Sequence, residues 1–136
     1  MSSGVAEADS WALLNEPRIG VLSIERAGSA PHRSPIWYWV RERNVEFTIP
    51  RDSVKGRLLA AGAPASMTVH VDNWPYRYVT VQGAASVVRD RVAGDLHRVA
   101  ERYLGGLLAD AYVRTVTSDG VVARLEVERV TAVDFR

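Results

Sequence analysis

Alternating apolar and polar positions occupy most of the chain and predict β-structure. In residues 65–72, Met67, Val69 and Val71 share one face and Thr68 lies on the other, which is the two-residue period of a half-buried strand. The same alternation, or a compact β-branched run, recurs in other segments. The pattern therefore predicts six strands, at residues 19–25, 33–40, 45–49, 65–72, 76–88 and 121–133.

The second and last predicted strands carry expectations about individual faces. In the second strand, the period of two places Trp37 and Trp39 together on one face. In the last strand it places Leu125 and Val127 on one face and Val130 on the other. These faces decide which aromatic and aliphatic side chains reach the core.

Other segments change to the helical period of about 3.6 residues. In residues 91–104, apolar side chains recur every three or four positions, and Gly105 and Gly106 end the helix. The remaining predicted helices are residues 10–15, a short helix after Ser53, and a piece that begins near Leu107.

The order of these elements predicts the fold class. Six strands with short connections in a chain of 136 residues favour an antiparallel barrel, because closure removes exposed sheet edges. Helices do not fit inside so small a barrel, so they cover its ends or sides. We therefore expect one α+β domain spanning residues 1–136.

Composition and charge exclude several classes of function. Hydrophobic residues make up 47% and charged residues 24%, which is ordinary for a globular protein. The net charge of +1 predicts no bulk attraction to nucleic acid or membrane, so any anion site must be local. Cysteine is absent, which excludes disulfides and Cys-based zinc sites. No signal peptide or membrane-length apolar run is evident, so we expect a cytoplasmic protein.

The segment from Phe47 to Leu59 contains the most informative chemistry. A strand-like run ends at Pro50, and a helix-like run then opens with Ser53 as its N-cap, followed by Lys55 and Arg57. Free N–H groups and the dipole at a helix N-terminus favour an anion, to which the two cations add charge. The alternative is an ordinary cap with solvated basic side chains.

The other polar residues offer little catalytic chemistry. His70 and Asp72 share a strand face and are the best acid–base candidates, but two such residues do not make a metal site. We assign no catalytic residue and no metal ligand. His32 and His97 are interpreted as solvated, as are the helix arginines, which alternate with acidic residues: Arg89, Arg91, Arg98 and Arg102.

Three motifs together resemble the pyridoxamine 5′-phosphate oxidase-like split β-barrels. They are Thr48…Ser53-x-Lys55, Arg33-Ser34-Pro35-Ile36-Trp37-Tyr38, and the strand from Pro75 to Gly83. The resemblance covers roughly residues 10–135, and Lys55-x-Arg57-x-Leu59 is similar to the actinobacterial deazaflavin-dependent branch. The chain lacks the long C-terminal segment of the pyridoxamine phosphate oxidases themselves, so a vitamin B6 substrate is not expected.

The resemblance implies a six-stranded split barrel that binds FMN or the deazaflavin F-420 and transfers hydride to a small organic substrate. It implies a homodimer with two cofactors in clefts between the subunits. The implied cofactor-binding residues are Ser53, Lys55, Arg57, Arg51 and Thr48 for the phosphate, Pro35, Ile36 and Trp37 along the ring, and Tyr78 on a neighbouring polar stripe.

Two alternatives stay open on these grounds. A non-catalytic carrier or sensor of the cofactor would need the same phosphate clamp as an oxidoreductase. The choice between FMN and F-420 is also open, although Arg51, Arg57 and Arg77 would suit the acidic tail of F-420.

Overall fold

The computed structural model describes residues 7–136, which form four helices and seven strands. The helices are α1 (Glu7–Leu14), α2 (Val54–Ala60), α3 (Ala93–Leu104) and α4 (Gly106–Thr115). The strands are β1 (Gly20–Ile24), β2 (His32–Ile36), β3 (Trp39–Arg41), β4 (Asn44–Pro50), β5 (Pro64–Val71), β6 (Arg77–Asp90) and β7 (Gly120–Asp134). No helix in this part of the chain is long and apolar enough to span a membrane. Residues 1–6, on which the expectation of no signal peptide depends, lie outside the described residues.

The described strands form one antiparallel sheet whose two edges are consecutive in the chain. Its order is β2-β1-β5-β6-β7-β4-β3, and only Trp37 and Tyr38 separate β2 from β3. If the sheet were flat, its edges would lie roughly 29 Å apart, given strand spacings of about 4.8 Å. The three residue steps from Ile36 to Trp39 span at most about 11 Å. The sheet therefore curls until its edges approach, which confirms the predicted α+β class and the split antiparallel barrel.

The number of strands differs from the prediction of six. Residues 33–40 were predicted to form one strand, but the chain leaves β1 at Ile36 and pairs with β4 from Trp39 onward. The side chains keep alternating through this crossing, so the sequence pattern does not reveal the change of partner. Trp37 and Trp39 do share a face, as predicted, and both pack in a cluster outside the barrel.

Two apolar clusters hold the fold together. The larger one fills the barrel and includes Leu22, Tyr38, Phe47 and Met67, all fully buried. The smaller one lies between the barrel and α3, where Trp39, Val99 and Val122 are buried against one another. Strand β7 is therefore buried on both faces at 121–123, because α3 covers its outer side.

A β-bulge in β7 corrects the predicted faces of that strand. Gln82 pairs with Arg129 and Gly83 pairs with Val127, so Glu128 is an extra residue. A bulge of one residue reverses which side chains face inward beyond it. Val130 therefore packs against the main core, and its predicted position on the polar face is wrong.

Buried carboxylates connect strands β3, β4 and β7 to one another and tie α3 to the barrel. Glu46, with a side chain only 2% exposed, accepts a hydrogen bond from Trp39 Nε1 at 2.9 Å and another from Arg124 Nε at 2.8 Å. At the start of α3, Arg89 donates to both carboxylate oxygens of Asp95, each at 2.6 Å. This pairing lowers the pKa of Asp95. The first turn of α3 is therefore tied to β6 by a carboxylate that stays ionised at neutral pH.

Arg102 departs from the predicted solvated helix face. Its guanidinium donates to the backbone carbonyls of Leu14, Asn15 and Glu16 at 3.2, 2.9 and 2.7 Å. These carbonyls lie at the C-terminal end of α1, where helix carbonyls lack partners within the helix. Arg102 thus connects α3 to the end of α1, a role that only the folded chain creates.

Two glycine substitutions test how tightly the bulge packs. A Cβ at Gly83 would overlap the carbonyl oxygen of Glu126, whereas a Cβ at Gly94 in α3 would meet nothing within 4 Å. We expect Gly83→Ala to lower the free energy of unfolding by about 1–3 kcal/mol. We expect Gly94→Ala to leave it unchanged or raise it by about 0.5–1 kcal/mol. Urea unfolding followed by tryptophan fluorescence measures both; equal stabilities would contradict the close approach at Gly83.

Candidate functional site

A cleft of about 420 Å³ opens beside the crossing from β2 to β3. The end of β2, strand β4 and helices α2, α3 and α4 each contribute to its walls. Its volume lies within the range of small-molecule sites, about 300–1,000 Å³. The lining residues are Ile19, Pro35, Ile36, Trp37, Thr48, Lys55, Val99 and Tyr112. Five of them are predicted cofactor-binding residues: Pro35, Ile36, Trp37, Thr48 and Lys55.

Aromatic rings form one wall of this cleft. Trp37 stacks on Tyr103 with ring centroids 5.1 Å apart and planes 7° from parallel. Tyr112 approaches the same indole at 5.3 Å and a tilt of 46°. Tyr103 is held in place because its hydroxyl donates to the carbonyl of Arg18 at 2.7 Å. The wall therefore presents preorganised π faces to anything planar in the cleft.

Lys55 supplies the cation of the cleft. It is the only lysine in the sequence, and its side chain is half-buried where α2 begins. It forms no ion pair with any acidic side chain among residues 7–136, and burial lowers the pKa of its ammonium. The close packing of α2 on the end of β4 sets this position, since a Cβ at Gly56 would overlap the carbonyl oxygen of Arg51. An anion entering the cleft would offset the loss of hydration at Lys55.

Ser53 lies beside Lys55 and caps α2 as predicted. Its Oγ accepts a hydrogen bond from the N–H of Gly56 at 3.0 Å and donates one to the carbonyl of Pro50 at 2.7 Å. The hydroxyl proton is therefore used inside the protein. Ser53 orients the turn that carries Lys55, and only a remaining lone pair of its oxygen is free.

The two predicted arginines of this segment have acidic neighbours outside the cleft lining. Arg51 donates to Asp119 and to Asp90, both at 2.6 Å, which raises the pKa of its guanidinium. Arg57 is exposed and lies 3.7 Å from Asp52. Of the three predicted cations, the structure thus brings only Lys55 into the cleft.

Tyr78 lies apart from the cleft of its own chain. It is 40% exposed on β6, between His70 of β5 and Val133 of β7. It borders a small pocket that also includes Arg77 and residues of α1 and of the C-terminal segment. The structure therefore does not bring Tyr78 together with Lys55 within one chain.

The structure adds residues that the sequence did not indicate. Ile19, Val99 and Tyr112 line the cleft, and Tyr103 supports Trp37 from behind. Tyr103 fits the apolar face predicted for α3, but nothing in the local pattern distinguishes Tyr112 from a surface aromatic. Its position depends on how α4 packs.

The histidines lie outside the cleft lining. His70 is exposed on β5. His97 was predicted to be solvated, but its Nε2 lies 3.0 Å from Oδ1 of Asp110, so it has a partner in the protein. No group of three His, Cys, Asp or Glu side chains that could hold a metal occurs in the part of the chain that the structure describes.

This arrangement can bind and orient a ligand more readily than it can transfer protons. The lining offers the ammonium of Lys55, the hydroxyls of Thr48 and Tyr112, and the aromatic faces of Trp37 and Tyr112. No carboxylate or imidazole is among the described lining residues. The combination suits a planar molecule that carries a phosphate.

Solved structures of similar fold include two mycobacterial proteins. A conserved hypothetical protein of Mycobacterium tuberculosis superposes with a TM-score of 0.79 at 24% identity, covering 100% of this chain and 91% of that one. A protein described as an F-420 reductase gives 0.71 at 23% identity, with 88% and 93% covered. The FAD binding protein of Mycobacterium smegmatis gives 0.67 at 17% identity, with 97% and 98% covered. These likenesses establish a shared fold.

The comparison with curated proteins finds no matching sequence. The comparison with family models does find a match, and it confirms the resemblance carried by the motifs around Lys55 and Trp37. Since the model described as pyridoxamine 5′-phosphate oxidase matches residues 6–133, nearly the whole chain, this protein belongs to that family.

Proposed function

We propose that this protein binds FMN or F-420 in the cleft beside the β2–β3 crossing and transfers hydride between that cofactor and a small organic substrate. The observation that carries the proposal is the half-buried ammonium of Lys55, which has no ion pair among residues 7–136, in a cleft that Trp37 and Tyr112 also line. A flavin or deazaflavin joins a flat ring to a phosphate through a flexible chain. The donor set of the cleft fits both ends of such a molecule.

The phosphate end would meet Lys55 and the hydroxyl of Thr48. A charged hydrogen bond of this kind contributes roughly 1.5–3 kcal/mol. Arg57 would assist at the exposed edge, whereas Arg51 would have to exchange its contacts with Asp90 and Asp119. Ser53 would act mainly by capping the helix that presents Lys55.

The ring end would lie along Pro35, Ile36 and Trp37. Backbone groups near the end of β2 would meet its polar edge, and the indole of Trp37, fixed by Tyr103, would set its plane. Tyr78 would contact the cofactor only across a subunit boundary, since it lies apart from the cleft of its own chain. A homodimer therefore forms part of the proposal.

Structural relatives support this assignment. Proteins of the same fold are described as an F-420 reductase and as FAD binding.

The bound cofactor would supply a ring that accepts or donates hydride. The protein would contribute binding and orientation: Lys55 fixes the phosphate, Trp37 fixes the ring plane, and the apolar side chains of Ile19, Ile36 and Val99 exclude water. No proton-transferring side chain is assigned, in keeping with the composition of the cleft wall.

A second candidate is a carrier or sensor that binds the same cofactor without turnover. The absence of acidic and imidazole side chains from the described cleft lining favours it. Steady-state turnover with an artificial electron acceptor separates the two, because a carrier binds the cofactor but oxidises nothing above background. A cytoplasmic location stays a prediction in either case.

Titration with each cofactor decides between FMN and F-420. The acidic tail of F-420 would need cations at the cleft edge. Arg57 is exposed there, but Arg51 is paired with two aspartates and Arg77 lies 3.7 Å from Glu16 beside Tyr78. The absorption spectrum of the purified protein, followed by the two titrations, would identify the cofactor.

Lys55→Ala tests the phosphate contact. We expect the affinity for the bound cofactor to fall about ten- to a hundredfold, because a charged hydrogen bond is lost. Arg57→Ala removes the same charge from an exposed site on α2 and should cost less than about fivefold. Fluorescence titration measures both; equal affinities of Lys55→Ala and wild type would refute the contact.

The single lysine permits a direct check of the same contact. Acylation of the Lys55 amine adds a defined mass to one internal peptide, which peptide mapping separates from the labelled N-terminus. We expect bound cofactor to slow this acylation, since the phosphate would cover the amine.

Ser53→Ala should weaken binding less than Lys55→Ala, while lowering the free energy of unfolding by about 0.5–2 kcal/mol through loss of the cap.

The proposed homodimer has its own test. Trp39 is covered within the chain, but Trp74, Tyr76 and Tyr78 are 67%, 48% and 40% exposed. Burying such surface between two copies would form an interface of about 1,600 Å² or more in total. We expect sedimentation velocity to show a dimer at micromolar concentration; a monomer under these conditions would contradict the shared cleft.

His70→Gln tests whether an acid–base residue is needed. His70 is exposed on β5 and does not line the cleft. A positioned general acid contributes about 10²–10⁴-fold, so we expect the variant to keep turnover within about tenfold of wild type. A thousandfold loss with unchanged cofactor affinity would move His70 and Asp72 into the active site.

A further inference from the structure

Helix α4 forms part of the cleft wall but is weakly held. Among its ten residues only Ala109 is buried, whereas α3 buries four. Its packing is almost entirely on α3 rather than on the barrel. Leu107 and Leu108 are 89% and 57% exposed at its start. A helix with so little buried surface belongs to the low end of local stability within a fold.

The connection between α3 and α4 has the properties of a hinge. Gly105 alone separates the two helices, and it adopts φ 82° and ψ 165°, a conformation that side chains with a Cβ rarely tolerate. Gly106 follows as the first residue of α4. A Cβ at either glycine would meet nothing within 4 Å, so no packing requires glycine here. The backbone conformation explains Gly105, and the second glycine, Gly106, adds conformational freedom beside it.

Besides its packing on α3, two side-chain contacts help to hold α4 in its present position. Tyr112 leans against Trp37 inside the cleft, with centroids 5.3 Å apart. Asp110 lies 3.0 Å from Nε2 of His97 on α3. Because a carboxylate only accepts, the histidine nitrogen carries the proton of this hydrogen bond. Both partners are partly exposed, so the contact is weak enough to break and re-form.

We infer that α4 is a hinged lid over the cleft and that Tyr112 is the side chain with which it closes onto a bound ring. The contact between His97 and Asp110 holds the lid in the position seen in this structure. The identity of the ring depends on the proposed function. Leu108 precedes Tyr112 by one turn and lies on the same side of α4. Its exposed surface would become buried on closure, so the closed state gains apolar contact that the free protein lacks.

The first experiment uses the protein without cofactor. Hydrogen–deuterium exchange should show α4 amides exchanging at least about tenfold faster than those of α3. Asp110→Ser, whose side chain is too short to reach His97, should speed exchange of α4 a further two- to fivefold, roughly what one exposed side-chain pairing contributes, and leave α3 unchanged. Arg114→Gln, which alters a charge on α4 that forms no ion pair among the described residues, is the control and should have no effect. Equal protection of α3 and α4 would overturn the lid.

The second experiment follows release of FMN and of F-420 by stopped-flow fluorescence. Tyr112→Ala should accelerate dissociation roughly three- to tenfold, which corresponds to the free energy that one aromatic contact contributes. Tyr112→Phe keeps the ring and should behave as wild type. Exchange of α4 should also slow when cofactor is added. Unchanged dissociation from Tyr112→Ala would overturn the role of Tyr112.

The two experiments separate failure of the lid from failure of the proposed function. If neither cofactor binds wild-type protein, the proposed function is wrong, and the exchange experiment still decides whether α4 opens. If a cofactor binds and α4 keeps the same exchange rates with and without it, the lid is wrong while the binding site stands.

Discussion

The rest of the structure depends on the two-residue crossing between β2 and β3. Because Trp37 and Tyr38 alone join the two edges of the sheet, the barrel has to close beside them. Tyr38 points inward, is fully buried, and donates its hydroxyl to the carbonyl of Leu14 at 2.7 Å. Burial raises the pKa of that phenol, so the donor keeps its proton at all ordinary pH values. The residue at the point of closure therefore also anchors α1 to the barrel.

The same crossing creates the candidate site. Neighbouring side chains in extended backbone point to opposite sides, so burial of Tyr38 directs Trp37 outward. There Tyr103 of α3 stacks on the indole and Tyr112 of α4 leans on it. The cleft thus lies where the barrel is split, and its walls come from elements distant in sequence. Stability of the site follows from stability of the barrel, whereas access to it depends on the weakly held α4.

The cleft carries a local positive charge although the net charge of the chain is only +1. Arg51 and Arg124 are paired with carboxylates, and Arg102 is occupied by backbone carbonyls. Lys55 is half-buried and unpaired among the described residues. Other basic side chains without an ion pair among the described residues, such as Arg33 and Arg114, lie outside the cleft lining. A phosphate in the cleft would therefore meet the charge of Lys55 locally, rather than respond to the bulk charge of the protein.

The sequence by itself determined the strand faces up to the bulge at Glu128, the cap of α2 by Ser53 and the presence of a basic residue at that turn, because these follow from local periodicity and local hydrogen bonds. Only the tertiary structure decided the exchange of partner strands at Trp37, the bulge at Glu128 and the meeting of Tyr112 with the cleft. Each of these depends on which distant strand or helix lies alongside, and a chain keeps the same local alternation whichever partner it finds. The sequence therefore specifies which groups are available, and packing specifies which of them remain free to bind.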